Sequence, residues 1–274
     1  MVDFSIEYIS NGEKSLKYSL ESIMGQSYNS FEIVCANSSN LLASSKLLED
    51  YSVKYVNAGP VRHLRGRELS HKLAKGKYSL IMDSTRVLDE YTLDILSEYA
   101  SKFDIIAIKE GSLGSGFWVN QARTYKSETE RNTKADTVKE KFPSYVLPRL
   151  YNSILLGKVF NSIRNKIPDK VFDQVGYGEH HIISQEALSL TNSFYYYKEK
   201  ELIKHFEDAS LRSIYKKYKN YGRDQVILRS ITPYYASSLF SHRRTLSISQ
   251  IKTNISCLPL ISLRTFSFFV GMFL

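Results

Sequence analysis

Two rhythms of apolar and polar positions alternate along the first half of the chain. Phe4–Ile9, Phe31–Ala36 and Tyr78–Met82 are short, dense apolar runs of the kind buried strands present, and Val53–Val56 and Asp104–Ile108 read the same way. Between them, Glu13–Gln26 places Leu16, Leu20, Ile23 and Met24 on one helical face. Asn40–Asp50, Arg65–Lys75 and Asp89–Ala100 also predict helices, with Gly76 in the position that favours a C-terminal cap and Asp89 as an N-terminal cap. Strands alternating with helices predict an α/β fold with a mostly parallel central sheet flanked by helices. Ligands of such sheets collect beyond the carboxyl ends of the strands. That rule directs attention to Ser10–Gly12, Asn37–Asn40 and Asp83–Arg86.

The second half is less regular. Gly111–Lys141 is rich in Gly, Ser, Thr and charge and predicts a mobile loop. Ser144–Ile167 returns to helical character, and Tyr195–Tyr197 predicts a strand because tyrosine favours pleated surfaces. Leu211–Tyr221 sets Leu211, Ile214, Tyr215, Tyr218 and Tyr221 on one helical face, with Lys216, Lys217 and Lys219 off it. Ile255–Leu274 is mostly apolar, but Pro259 and Arg264 interrupt it and only Phe266–Leu274 is cleanly apolar. A spanning helix needs about 20 apolar residues without such breaks. The segment reads either as a helix packed on the core or as an interfacial element. The bases upstream and the cluster Phe266, Phe268, Phe269 and Phe273 favour the interfacial reading.

Charge sharpens this picture. After Asp208 the chain holds ten Lys and Arg against one acid, Asp224, so this end carries the whole formal charge of +9. A basic end attracts a polyanion, either nucleic acid or an acidic membrane surface. No nucleic-acid-binding motif accompanies it, so nucleic acid is not an expected partner. Cys35 and Cys257 are far apart and form neither a disulfide framework nor a metal-ligand spacing. A reducing compartment follows, and the acids Asp3 and Glu7 argue against a signal peptide. At 274 residues the chain fits one large domain, or one with an appended tail.

Four segments, in order, resemble family 2 of the glycosyltransferases. Phe4–Val34 is similar to the family's opening strand, nucleotide loop, helix and second strand, with Gln26-Ser27-Tyr28 at the turn. Gly66–Ser84 resembles its Arg-containing helix, the Ala74-Lys75-Gly76 turn and the strand that enters the DXD motif. Gly178–Ile183 resembles the Glu-Asp motif that supplies the catalytic base, and His205–Asp224 resembles the segment in which a His precedes a basic helix and a Tyr-Gly-Arg turn. The resemblance implies a GT-A type nucleotide-sugar-binding fold over 1–224, followed by a basic and apolar tail over 225–274 with possible membrane association.

The chemistry of such an enzyme explains the residue types. A diphosphate leaving group gains negative charge that a divalent metal or cationic side chains must stabilise. Asp83 stands at the first DXD position and is the expected ligand of Mg²⁺ or Mn²⁺, but Thr85 takes the third position and Arg86 follows. Either Asp83 holds the metal with help from the diphosphate, or Arg86 replaces part of its charge. Ser10, Asn11, Asn37, Ser38, Arg67, Ser84 and His205 are the other expected donor-binding residues. Asn37 and Ser38 stand where the family has an acidic pair that meets the nucleobase. Glu179 and His180 stand at the Glu-Asp position, and either can act as the catalytic base.

The resemblance implies an inverting, hexosyltransferase-type glycosyltransferase acting on a lipid-linked or membrane-proximal glycan acceptor. Its expected location is cytoplasmic, peripheral at the membrane face. Because the acidic motifs are degenerate, the alternative is a catalytically silent binding or scaffold subunit of a glycan-assembly system.

Overall fold

The computed structural model describes residues 2–131, 148–231 and 255–273. The chain forms two compact units, Met1–Glu110 with Val146–Lys204, and Gly111–Tyr145 with His205–Leu274. The boundary expected at 224/225 falls inside the long helix Leu211–Ile231.

The first unit is built as the apolar pattern predicts. Its strands are β1 (Phe4–Ser10), β2 (Phe31–Asn37), β3 (Lys54–Asn57), β4 (Tyr78–Asp83), β5 (Arg86–Leu88), β6 (Ile105–Ile108), β8 (Pro148–Asn152) and β9 (Phe194–Tyr197). Helices α1 (Leu16–Met24), α2 (Leu42–Asp50), α3 (His63–Leu73), α4 (Thr92–Ala100), α6 (Ser153–Lys166), α7 (Asp169–Phe172) and α8 (Glu179–Leu190) surround them. The seven-stranded sheet has the order β3-β2-β1-β4-β8-β6-β9 and is parallel except at β8, which runs against both neighbours. Every residue of β1 is buried, as a central parallel strand covered on both faces requires. Leu16, Leu20 and Ile23 of α1 join Phe4, Ile6, Tyr8, Leu80, Met82 and Ile106 in the main core.

Several local expectations change. The stretch read as a helix from Ser144 begins, within the described residues, with strand β8. Gly76 does not cap a helix in the left-handed region. A Cβ there would lie 2.5 Å from the backbone nitrogen of Ser5, so glycine permits a close backbone approach to β1. Asp89 does not cap α4 with its side chain, since its carbonyl oxygen accepts from Thr92 and its carboxylate pairs with Lys200.

The second unit contains β7 (Glu110–Leu113, whose first residue belongs to the first unit), α5 (Phe117–Arg131), β10 (Ile203–Phe206, whose last two residues belong here), α9 (Leu211–Ile231) and α10 (Leu258–Phe273). The predicted loop from Gly111 is thus a strand and a helix as far as Arg131, and 132–141 lie outside the described residues. Helices α9 and α10 meet backbone to backbone. A Cβ on Gly222 would sit 1.9 Å from the Phe268 oxygen, and one on Gly271 would sit 1.9 Å from the Lys219 oxygen. Arg264 of α10 lies over the rings of Tyr125 and Tyr218. Leu258, Phe266, Phe269 and Phe273 of α10 are exposed at helical spacing. Among the described residues no helix is long and apolar enough to cross a membrane. Arg243, Arg244 and Lys252 of the basic end lie outside the described residues.

The glycine contact is directly testable. Gly271→Ala forces a methyl group into a backbone oxygen and is expected to cost at least about 1–3 kcal/mol, as overpacking does. Gly25→Ala meets nothing closer than 3.5 Å and is the control. Equal thermal midpoints for the two variants would refute the contact.

Candidate active site

The sheet reverses direction at β1, because β2 and β3 lie on one side of it and β4 on the other. In open α/β sheets such a switch point opens a crevice at the carboxyl ends of the strands. Ile9 pairs with Asp83 and Ser10 with Asn37 across this edge, so the loop after β1, the loop after β2 and the end of β4 are neighbours.

Helix α3 supplies the first charge. A Cβ on Gly66 would lie 3.1 Å from Ile9, so this glycine lets the helix sit close on β1. Next to it, Arg67 is 1% exposed. Its Nη1 donates to the Met82 carbonyl oxygen at 2.5 Å, and its Nη2 donates to Asp83 Oδ1 and lies 3.5 Å from Glu179 Oε1. Gly178 precedes α8 with φ +97°, a conformation glycine adopts without strain, and delivers Glu179 and His180 into the first helical turn. A carboxylate there also meets the positive end of the helix dipole.

Strand β8 supplies the second guanidinium. Ile106 pairs with Leu150 and the next residue, Ala107, with Pro148, so Arg149 is the extra residue of a β-bulge. Bulges re-aim side chains. Arg149, also 1% exposed, donates from Nε to Glu110 Oε1 at 2.6 Å and from Nη1 to His180 Nε2 at 2.9 Å. The third guanidinium, Arg86, begins β5. Its Nε donates to Glu110 at 3.2 Å and its Nη1 to Asp83 Oδ2. Three arginines therefore face three acids, Asp83, Glu110 and Glu179, around one imidazole.

Burial and neighbours fix the protonation states. Burial lowers Arg67 and Arg86 to about 10, still far above neutrality, so both remain cations. Burial and the adjacent Arg149 hold His180 well below its usual 6.5, so it is a neutral imidazole. A guanidinium only donates, so Nε2, which faces Arg67 at 3.1 Å and Arg149 at 2.9 Å, is the acceptor and the proton resides on Nδ1. Burial opposes ionisation of Glu179, but the side-chain contact with His63 and the Arg67 guanidinium outweigh it and keep the carboxyl well below the usual range.

Asp83, Glu179 and His180 present ligand atoms within 4.8 Å of one another, a group able in principle to hold a metal ion. The donor types suit a divalent cation. The surroundings do not. Asp83 accepts from Arg67 and Arg86, and the His180 Nε2 lone pair faces Arg67 again and Arg149. A dication about 4 Å from a single guanidinium is opposed by about 8 kcal/mol at an effective dielectric of 20. The residues present therefore fit the cation poorly while these pairs are made.

The other expected residues are positioned differently. Ser10 is buried, and Asn11 is tied to Glu13 by its amide nitrogen and side chain. The Asn37 amide faces inward, accepting from Ser39 and Ser44 and donating to Ser45 and Asn57, so it shapes the turn. Ser38 keeps a buried Oγ with no partner among the described residues, and Ser84 is buried beside Asp83. His205 belongs to the second unit, where it pairs with Glu207 at 3.4 Å. Burial resists ionisation of Glu207, but His205 and Lys126 hold it well below its usual range. Arg149 and Glu110 were not foreseen. A lone arginine inside the apolar stretch Pro148–Tyr151 was the available signal for the first.

A pH series tests the protonation states. The unfolded chain binds a proton at His180 near pH 6.5 and the folded chain does not, so this contribution to stability is complete above that pH and lost below it. Glu179, also depressed, adds a loss in the same direction as pH falls through the carboxyl range. Denaturant midpoints at pH 7.5 and 5.5 should differ less in His180→Asn than in the native chain. An imidazole NMR signal for His180 that titrates near 6.5 would overturn the assignment.

No protein-family model matches the chain, and no curated protein matches it in sequence. Solved structures do match. The structure of S. aureus TarS aligns at TM-score 0.59 and 16% identity, covering 96% of this chain and 49% of TarS, so the chain spans about half of that protein. TarS 1-349 in complex with UDP aligns at TM-score 0.59 and 18% identity over 81% of that structure, and the complex with UDP-GlcNAc at TM-score 0.56 and 17% identity. This likeness, over 96% of the chain, is one of fold: the chain has the GT-A-type architecture of TarS.

Proposed function

We propose that the protein is a glycosyltransferase that moves a sugar from a nucleoside diphosphate sugar to a glycan acceptor. The observation that carries this reading is the convergence of Arg67, Asp83, Glu179 and His180 at the carboxyl edge of the sheet, beside the switch point between β1 and β4. The complexes of TarS with UDP and UDP-GlcNAc support uridine diphosphate sugars as the first donors to test.

In this reaction the acceptor oxygen forms a bond to the anomeric carbon as the bond from that carbon to the diphosphate breaks. The bonding pair leaves with the diphosphate, and the hydroxyl proton passes to a base. Attack opposite the leaving group inverts the anomeric centre. Of the two candidate bases we favour Glu179, since it is ionised and the His180 Nε2 lone pair is committed to guanidiniums. His180 then orients Arg67 and Arg149. A divalent cation at Asp83 enters no step here, because its ligand atoms are already engaged. Ser10, Asn11, Ser38 and Ser84 line the same strand edge and remain the proposed donor contacts, with Asn37 shaping the turn that carries Ser38.

The acceptor we propose is lipid-linked or membrane-proximal, reached by peripheral contact through α10. The exposed Leu258, Phe266, Phe269 and Phe273 support it, as do the exposed Arg212, Lys216 and Arg223 on α9. A silent binding subunit is the second reading, favoured by the complete pairing of Asp83 with arginines.

Two measurements decide among these. Glu179→Gln should keep UDP-GlcNAc binding within a few-fold by calorimetry and lower turnover by about 10²–10⁴, the usual contribution of a general base. Equal turnover would remove Glu179 from the chemistry, whereas binding without turnover in the native protein, given an extract of host glycans, would favour the silent subunit. For the membrane, co-sedimentation with acidic vesicles should fall in Phe269→Ser/Phe273→Ser and at high salt. Retained binding in that variant would exclude α10 as the contact.

A further inference from the structure

The arginines around Asp83 suit an anion better than a cation, and their geometry says which one meets it. Arg67 and Arg149 are each 1% exposed and lie behind the others. Arg86, with its side chain 13% exposed, is the most accessible of the three, and its partners Asp83 and Glu110 are 29% and 18% exposed in their side chains. Asp83 takes Nη1 of Arg86 and Glu110 takes Nε, which clamps the guanidinium plane from two sides. The structure gives Nη2 no partner among the described residues. A guanidinium so held, with donors left over, is prepared for the paired oxygens of a phosphate.

The engagement of the acids points the same way. Asp83, Glu110 and Glu179 balance Arg67, Arg86 and Arg149, and the imidazole between them accepts from two of these arginines. A dication would have to reach oxygens and a nitrogen that already accept from guanidiniums, two of its three ligands being buried. An anion need only meet Nη2 of Arg86, which those pairs leave unused.

We infer that Arg86, clamped by Asp83 and Glu110, takes the place of a divalent cation: the site binds the diphosphate of its donor without metal. This rests on the nucleotide-sugar reading above and assigns the group within it that answers the diphosphate charge. Asp83 is then an anchor for two guanidiniums. Thr85, lacking a carboxylate, leaves Arg86 with no further acid to neutralise it from that position.

Calorimetry with UDP and with GDP, each in EDTA and each with Mn²⁺, tests the inference. The native chain should bind one of them with a dissociation constant that changes less than about twofold between EDTA and Mn²⁺. Arg86→Ala should weaken binding in EDTA by about tenfold or more, the scale of a charged hydrogen bond. It also frees one Asp83 oxygen, so Mn²⁺ should restore part of the binding to this variant while leaving the native chain unchanged, a response that a folding defect does not produce. Arg86→Lys keeps the charge and should lose less than Arg86→Ala. Nucleotide binding by the native chain only when Mn²⁺ is present would overturn the inference and leave the nucleotide-sugar reading standing. Absence of binding by both nucleotides in both buffers would overturn the two together.

Discussion

The buried guanidinium of Arg67 ties the candidate site together. It enters from α3, takes the carbonyl of Met82 at the end of β4, and reaches Asp83, Glu179 and His180 from one planar group. A buried arginine is costly unless its charge is answered, and removing one partner of such a group exposes the remaining charge. Its acids and the imidazole are therefore coupled: each is held where it is because the others are. Gly66 and Gly178 are the backbone conditions for this arrangement, one allowing α3 to approach β1 and the other turning the chain into α8.

Much of the first unit was legible in the sequence because its signals are local. Apolar runs of strand length and helices with one apolar face gave β1 to β4 and α1 to α4 within a few residues, and the rule of strand ends led to Asp83. Motif position gave Arg67, Glu179 and His180, which the fold brings together. What was not legible depends on distant partners. Arg149 stands out only as a lone arginine in an apolar stretch, its inward direction is set by the bulge in β8, and β8 itself was hidden inside a helical pattern because its five residues pair with strands far away in sequence. Glu110 becomes part of the cluster only through Arg86 and Arg149.

The roles of polar residues were harder to read than their positions. Asn37 was found at the right strand end, yet its amide is spent on Ser39 in its own loop, Ser44 and Ser45 of α2 and Asn57 at the end of β3. A polar side chain after a strand has the same sequence signature whether it faces a ligand or its own backbone. His180 shows the converse. Its type suggested a base, but three-dimensional company makes it an acceptor between cations, with chemistry set by neighbours that the motif does not contain.

The contact at Gly222 and Gly271 has a consequence for how the second unit opens. Two helices whose backbones touch cannot loosen independently, since unwinding either strips the packing surface from the other. Amide protons along α9 and α10 near these glycines are thus protected by a shared event, and solvent exchange at one helix reports on the other as a single cooperative segment.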